Sequence, residues 1–332
     1  MEHNKIYCGD AMKMLRRFPA ESVNCIVTSP PYYCLRDYGM RGQIGLEQSP
    51  ELYIKRLADI FKECRRVLKK DGIMWVVIGD SYAGSGRGVG DVNKKGMQQK
   101  ASYATEFSKP KKLLHYKNKD LIGIPWLLAF ALRKSGWYLR QDIIWHKPNP
   151  MPESVRDRCT KAHEYVFLFS KSAKYYFDSN AMLEPAKYDG RKNAYNGSKK
   201  YVAGSSGMAA QTIFKGGRKR WVSTVNGYPA RNKHSVWTVA TRGFKEAHFA
   251  TFPSDLICSC IEAGCPPNGV VLDPFMGAGT TALVAKELGR NFVGIELNAD
   301  YIKIAEKRLK MNNIDKEIGK TNCTKILTLW EM

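Results

Sequence analysis

The sequence has no apolar run near the roughly 18 residues that a membrane-crossing helix needs. It opens on MEHNKIYCGD, without the basic-then-apolar layout of a secretory leader. Its nine cysteines include no CxxC pair, and the densest group, Cys258, Cys260 and Cys265, matches no zinc-ligand spacing. These absences predict reduced thiols, no metal site and a cytoplasmic protein without a membrane partner. A glycine-rich loop ending in Lys-Ser or Lys-Thr is also missing, which excludes a P-loop phosphate site. Acidic residues are scarce: 31 Asp and Glu against 53 Lys and Arg leave a net charge of +22. Such an excess points to a polyanion, with nucleic acid ahead of a membrane surface because no basic amphipathic anchor accompanies it.

The chain's 332 residues, 44% of them hydrophobic, suffice for one large α/β domain with a sizeable insertion. The basic excess is concentrated. Between Lys187 and Lys245 stand thirteen Lys or Arg and one acid, Asp189; between Tyr82 and Lys119 stand nine against Asp91 and Glu106.

Hydrophobic periodicity orders the rest. KIYC and SVNCIV read as short strands. From Ser49, an N-cap followed by Pro50, apolar residues recur at helical spacing to Leu68. Asp71-Gly72 then reads as a turn into the buried strand IMWVVIG. A basic loop follows over 81–119, too long for a compact connection. IPWLLAFALRKSG and PSDLICSCIEAG read as helices, and WYLRQDIIWHK and EYVFLFSKS as strands. Near the C-terminus come strand GVVLD, turn PFMGAGTT, helix ALVAKELG and strand NFVGIEL, a β-loop-α-β unit of about 30 residues. Strand and helix alternate, so the expected fold is a mostly parallel twisted sheet covered by helices on both faces. The predicted organisation is a catalytic half over 1–148, a basic insertion over 149–245 and a ligand-binding half over 246–332.

Two stretches carry chemistry. A glycine-rich turn between strand and helix lets a ligand approach the backbone and aims amide donors at it. Glu296, at the end of the following strand, stands where a carboxylate commonly holds ribose hydroxyls. A nucleoside cofactor is implied, but not one bound chiefly through phosphates. In CIVTSPPYYC, Pro30 and Pro31 fix two φ angles, remove two backbone donors and end the strand in a rigid shelf. Ligands in open parallel sheets sit at the carboxyl ends of strands where strand order reverses. With SVNCIV and GVVLD as neighbours there, shelf and glycine turn face each other across one crevice.

DPFMGAGTT with GIEL resembles the S-adenosyl-L-methionine-binding motifs of the amino-methylating DNA methyltransferases, and TSPPY resembles their catalytic motif. The order, with the catalytic motif early and the cofactor motifs late, is that of the β group, most like its cytosine-N4-specific members. The resemblance implies an S-adenosyl-L-methionine-dependent, Rossmann-like methyltransferase fold with circularly permuted motifs and an inserted target-recognition region. It implies that Asp273, Pro274, Phe275, Gly277 and Gly279 line the cofactor, with Thr280 and Thr281 near its carboxylate. Thr28 and Leu297 also contact the cofactor, Glu296 takes the ribose hydroxyls, and Asp10 reaches the adenine amine or caps the helix that follows it. HFATFP, with His248, Phe249, Thr251, Phe252 and Pro253, closes the pocket.

Ser29 and Pro30 would accept the hydrogens of an exocyclic amine, Pro31 would stiffen the acceptor, and Tyr32 would stack on an extruded base. Asp80 is either a proton relay or a helix cap. In the family it resembles, serine before the prolines usually accompanies cytosine N4 methylation, so Ser29 favours that target, with adenine N6 the alternative. The expected partner is double-stranded DNA, contacted by Arg156, Arg158, Lys161, Lys215, Arg218, Lys219, Arg220, Arg231, Lys233 and Arg242. A homodimer and a cognate restriction endonuclease stay open, as does a prokaryotic, plasmid or phage origin.

Overall fold

The computed structural model describes residues 1–35, 37–84, 116–185, 210–213, 219–222, 224–225, 228–241 and 252–317. The larger of its two compact units comprises Met1–Tyr176 and residues from Val236 onward. It opens with β1 (Lys5–Cys8), α1 (Ala11–Leu15) and β2 (Val23–Thr28), followed by α2 (Pro50–Val67), β3 (Leu68–Ile78), α3 (Ile124–Lys134), β4 (Tyr138–His146) and β5 (His163–Ser170). Ser49 caps α2 by accepting from Leu52 N, with Pro50 in the first turn, where its missing donor costs nothing.

The smaller unit, Phe177–Ser235, is built from short antiparallel pieces. It contains β6 (Leu183–Pro185), β7 (Ala210–Ile213), β8 (Lys219–Val222), β9 (Thr224–Val225) and β10 (Tyr228–Asn232). β10 lies between β6 and β9, and β7 pairs with β8. The larger unit resumes with β11 (Val236–Thr238), α4 (Ser254–Gly264), β12 (Val270–Asp273), α5 (Thr280–Glu287), β13 (Asn291–Glu296) and α6 (Ala299–Glu317).

Among the described residues, eight strands form one sheet in the order β1-β13-β12-β2-β3-β5-β4-β11. β1, β13, β12, β2 and β3 run parallel, while β5 is antiparallel to both β3 and β4. Helices cover both faces. Met74, Val76 and Ile78 of β3 join Leu57 and Phe61 of α2 in the main core, whereas Cys25 and Ile73 point the other way and meet Gly264 of α4. β12 continues through α5 to β13 on one side, and β2 through α2 to β3 on the other. Strand order therefore reverses between β12 and β2, which pair through Val271–Cys25 and Leu272–Ile26.

Two sequence expectations change. Asp71-Gly72 makes no turn: it lies within β3, where pairing with β2 jumps from Val23–Leu68 to Cys25–Ile73. Gly72 is needed there because a Cβ would stand 2.6 Å from the Leu68 side chain. The expected insertion over 149–245 is also too wide. EYVFLFS is a buried central strand of the sheet, so the separate unit begins only at Phe177. Residues 85–115 of the basic loop lie outside the described residues.

Candidate active site

The switch point is tied by one buried carboxylate. Asp273, at the end of β12, accepts from the Thr28 hydroxyl of β2 at 2.6 Å and from the Thr281 hydroxyl of α5 at 2.6 Å. Its Oδ1 also accepts from Phe275 N at 3.0 Å. Asp273 is 1% exposed, and burial raises its pKa to about 6 against the pull of those three donors. Thr28, Asp273 and Thr281, expected as cofactor contacts, do not line the cavity. A carboxylate with three donors between three elements is a structural tie, and none of the three side chains faces out.

Above this tie lies a cavity of about 360 Å³. Ser29, Pro30, Pro31 and Tyr32 line one side, and Pro274, Phe275, Gly277 and Thr280 line the other. The shelf is clamped from behind: Tyr53 Oη donates to the Pro31 carbonyl at 2.8 Å, and Cys34 N to the Gly45 carbonyl at 2.7 Å. The Pro30 carbonyl carries no hydrogen bond among the described residues. It remains available as an acceptor beside the Ser29 hydroxyl.

The opposite wall is polar at one end and apolar in the middle. Glu296 accepts from Gly277 N at 2.7 Å and Asn298 N at 2.8 Å, which aligns its carboxylate at the wall; burial raises its pKa. Asp10 both lines the cavity and caps α1, accepting from Lys13 N. Leu297 and Phe252 also line it, as do Tyr38 and Tyr301, packed edge to face 6.5 Å apart. Gly279 sits at φ +82°, where a Cβ would stand 2.6 Å from Ala305 Cβ of α6. It therefore shapes the turn from behind rather than lining the cavity. Pro253 is likewise buried, at the start of α4.

Asp80 is placed elsewhere. Its Oδ1 accepts from Ser81 N, Gly123 N and Ile124 N, capping α3 across the chain, and it does not line the cavity. Among the basic residues, Arg156 is exposed. Arg158 lies 3.9 Å over the Tyr82 ring and pairs with Glu153 at 2.6 Å, while burial lowers the pKa of Lys161. Within the smaller unit, Arg231 pairs with Glu184 at 2.9 Å and Lys233 N donates to the Met182 carbonyl. Lys219 and Arg220 lie on β8, opposite Ile213 and Thr212. Lys215, Arg218, Arg242, His248, Phe249 and Thr251 lie outside the described residues.

Two lining residues carry no sequence signature. Lys147 and Glu164 form an ion pair beside the shelf, and Tyr32 Oη donates to Glu164 at 2.6 Å. Glu164 opposes Trp145 in the β4–β5 register, and Lys147 follows Trp145 by two, so all three share a face. Only strand register brings them together. The one hint in the sequence is a charged residue opening an otherwise apolar strand.

The DNA methylase family N6_N4_Mtase matches residues 23–307, a span holding both shelf and glycine turn. The chain belongs to this family. The methylase is 45% identical over 305 residues to the Citrobacter freundii type II methyltransferase M.Cfr9I, covering 92% of this chain and 87% of that protein. Against M.SmaI of Serratia marcescens it is 43% identical, covering 92% and 90%. Among solved structures it shares its fold with the PvuII cytosine-N4-specific DNA methyltransferase, at 20% identity and a TM-score of 0.60 over 99% of this chain and 94% of that one. It also shares the fold with a Thermus thermophilus protein, described as a putative DNA modification methylase and complexed with S-adenosyl-L-methionine. There the identity is 21% and the TM-score 0.54, over 92% of this chain and 93% of the other. No helix among the described residues is long and apolar enough to cross a membrane.

Proposed function

We propose that this methylase transfers the methyl group of S-adenosyl-L-methionine to the exocyclic N4 amine of a cytosine extruded from double-stranded DNA at a specific site. The observation that carries the proposal is that Ser29–Tyr32 and the glycine turn line one cavity. The cavity suits a nucleoside-sized ligand in volume and in chemistry. Glu296, aligned by two backbone donors, would accept from ribose hydroxyls, and Asp10 from an adenine amine. Phe275, Ile295 and Leu297 offer the apolar surface between. The fold shared with a protein complexed with S-adenosyl-L-methionine supports this cofactor. When bound, the cofactor supplies an electrophilic methyl group on a sulfonium.

The chain's own residues prepare the nucleophile. The lone pair of an exocyclic amine is delocalised into its ring. Ser29 Oγ and the Pro30 carbonyl accept the two N–H hydrogens and draw the nitrogen towards tetrahedral geometry. The prolines hold these acceptors in place before the reaction, so little reorganisation is needed during it. Tyr32 offers a ring for the base to stack on. A paired base cannot enter, so the target is flipped out. Ser29 is a hydroxyl rather than a carboxylate, which favours cytosine N4 over adenine N6, and the PvuII enzyme of the same fold is cytosine-N4-specific.

Arg156, Arg158 and Lys161, with the basic stretch of the smaller unit, are assigned to phosphate and groove contacts. The type II relatives support a restriction–modification role, in which a cognate endonuclease cuts the same site when it is unmethylated. Incubation with methyl-labelled S-adenosyl-L-methionine and plasmid DNA, followed by nucleoside mass spectrometry, tests the reading. Label in N4-methylcytosine supports it. Label in N6-methyladenine reverses the base assignment, and label in no nucleoside overturns the activity.

A further inference from the structure

Methylating an amine creates a proton that must leave, and the hydroxyl of Ser29 is a poor final acceptor. Asp80, just past the end of the neighbouring strand β3, is committed to three backbone donors. A different polar chain leads away from the shelf. Ser29 and Tyr32 line the same side of the cavity, and Tyr32 Oη donates to Glu164 Oε2 at 2.6 Å. Glu164 Oε1 accepts from the Lys147 ammonium, which also lies 4.4 Å over the Trp145 ring. The side chains of Lys147 and Glu164 are 18% and 16% exposed, so the pair is largely withdrawn from water.

The surroundings preserve this chain. A Cβ at Gly79, at the end of β3, would stand 2.8 Å from the Tyr32 ring and 3.3 Å from the Glu164 carboxyl carbon. Burial, then the charge of Glu164, holds the Tyr32 phenol well above its ordinary range, so it rests protonated, with its proton on the hydrogen bond to Glu164. Among the described residues, the other charged or titratable groups acting around Glu164 are Lys161, two residues before β5, and His163, the first residue of β5, with Asp80 acting on Lys161 from just past β3.

We propose that Glu164 is the proton acceptor of the methyl transfer, reached from the amine through Ser29 and Tyr32, with Lys147 as a positioning residue that fixes its carboxylate. The proposal rests on the DNA amino-methylation reading above. As the new N–C bond forms and the S–C bond breaks, the amine nitrogen gains a positive charge and the sulfur loses its own. One N–H proton passes to Ser29 Oγ, the Ser29 hydroxyl proton passes to Tyr32 Oη, and the phenol proton passes to Glu164 Oε2. Ser29 and Tyr32 end as they began. Glu164 alone becomes neutral, and it recovers by releasing one proton to water per turnover.

The test uses the full chain, plasmid DNA and enzyme excess, comparing wild type with Glu164→Gln, Tyr32→Phe and the double variant. Each single variant is expected to lose about a hundredfold in single-turnover rate, and the double variant to lose no more than either. The acid limb of the wild-type rate profile should be absent from Glu164→Gln. Cofactor affinity by calorimetry and the unfolding midpoint should stay near wild type, which separates proton transfer from a damaged pocket. The relay is overturned if Glu164→Gln keeps the wild-type rate and acid limb, or if the two losses multiply. A wild type that methylates no DNA base removes the reading and the relay together; an active wild type matched by Glu164→Gln overturns the relay alone.

Discussion

Thr28 and Asp273 stand 245 positions apart, and the hydroxyl of the first donates to the carboxylate of the second at 2.6 Å. That bond joins the strand carrying the proline shelf to the strand carrying the glycine turn. With Thr281 on the other carboxylate oxygen, it fixes the separation of the two walls from beneath the cavity lining. Thr28→Val keeps the shape and removes one donor from a buried carboxylate. The expected cost is about 1–3 kcal/mol, measured by urea unfolding; an unchanged midpoint would show that the tie carries no load.

Asp273 also predicts a pH dependence. Its folded pKa of about 6 lies above the ordinary 3.8, so the folded chain retains a proton that the unfolded chain releases. The stability this group contributes is full below about pH 4 and is lost as pH rises through about 6, on the order of 3 kcal/mol in all. Asp273→Asn removes the titration. Unfolding free energy measured across that window should fall less steeply with pH in the variant than in wild type, and parallel curves would refute the assignment.

Ser29→Ala and Glu296→Ala should separate chemistry from binding. Ser29→Ala is expected to lower the methylation rate by about a hundredfold while leaving cofactor affinity within about twofold. Glu296→Ala removes a charged acceptor and should weaken cofactor binding by about tenfold to a hundredfold, from the roughly 1.5–3 kcal/mol typical of such bonds. Calorimetry with S-adenosyl-L-methionine and single-turnover methylation give both numbers. Equal losses in rate and affinity for Ser29→Ala would contradict its role.

Asp80→Ala distinguishes a cap from a relay. As a cap for α3, Asp80 should cost about 1–2 kcal/mol of stability when truncated. The methylation rate per folded molecule should stay within a few-fold of wild type. A hundredfold loss of rate at unchanged stability would make Asp80 part of the proton path instead of Glu164.

Much of this site is legible in the sequence because local chemistry demands it. Pro30 and Pro31 can only end a strand, the Asp273–Thr281 stretch joins strand to helix through two positive-φ glycines, and Glu296 closes the next strand. Pairing across the switch point follows from the rules of parallel sheets. Two things are hidden. EYVFLFS is apolar because it is central, yet nothing local says that it runs antiparallel, so an insertion inferred from polarity alone extends too far around it. Lys147 and Glu164 meet only through that register. The hydrogen-bond partners of Thr28, Asp273 and Asp80 are likewise nonlocal, and residue type alone does not separate a carboxylate that ties strands or caps a helix from one that meets a ligand.

The most direct measurement is a crystal structure of the protein with S-adenosyl-L-homocysteine and a duplex containing its site. It should place the cofactor ribose at Glu296 and an extruded cytosine over Tyr32, with its N4 within hydrogen-bond distance of Ser29 Oγ and the Pro30 carbonyl. A cofactor seated away from Gly277, or a flipped base that does not reach Ser29, would contradict the shared pocket on which the whole mechanism depends.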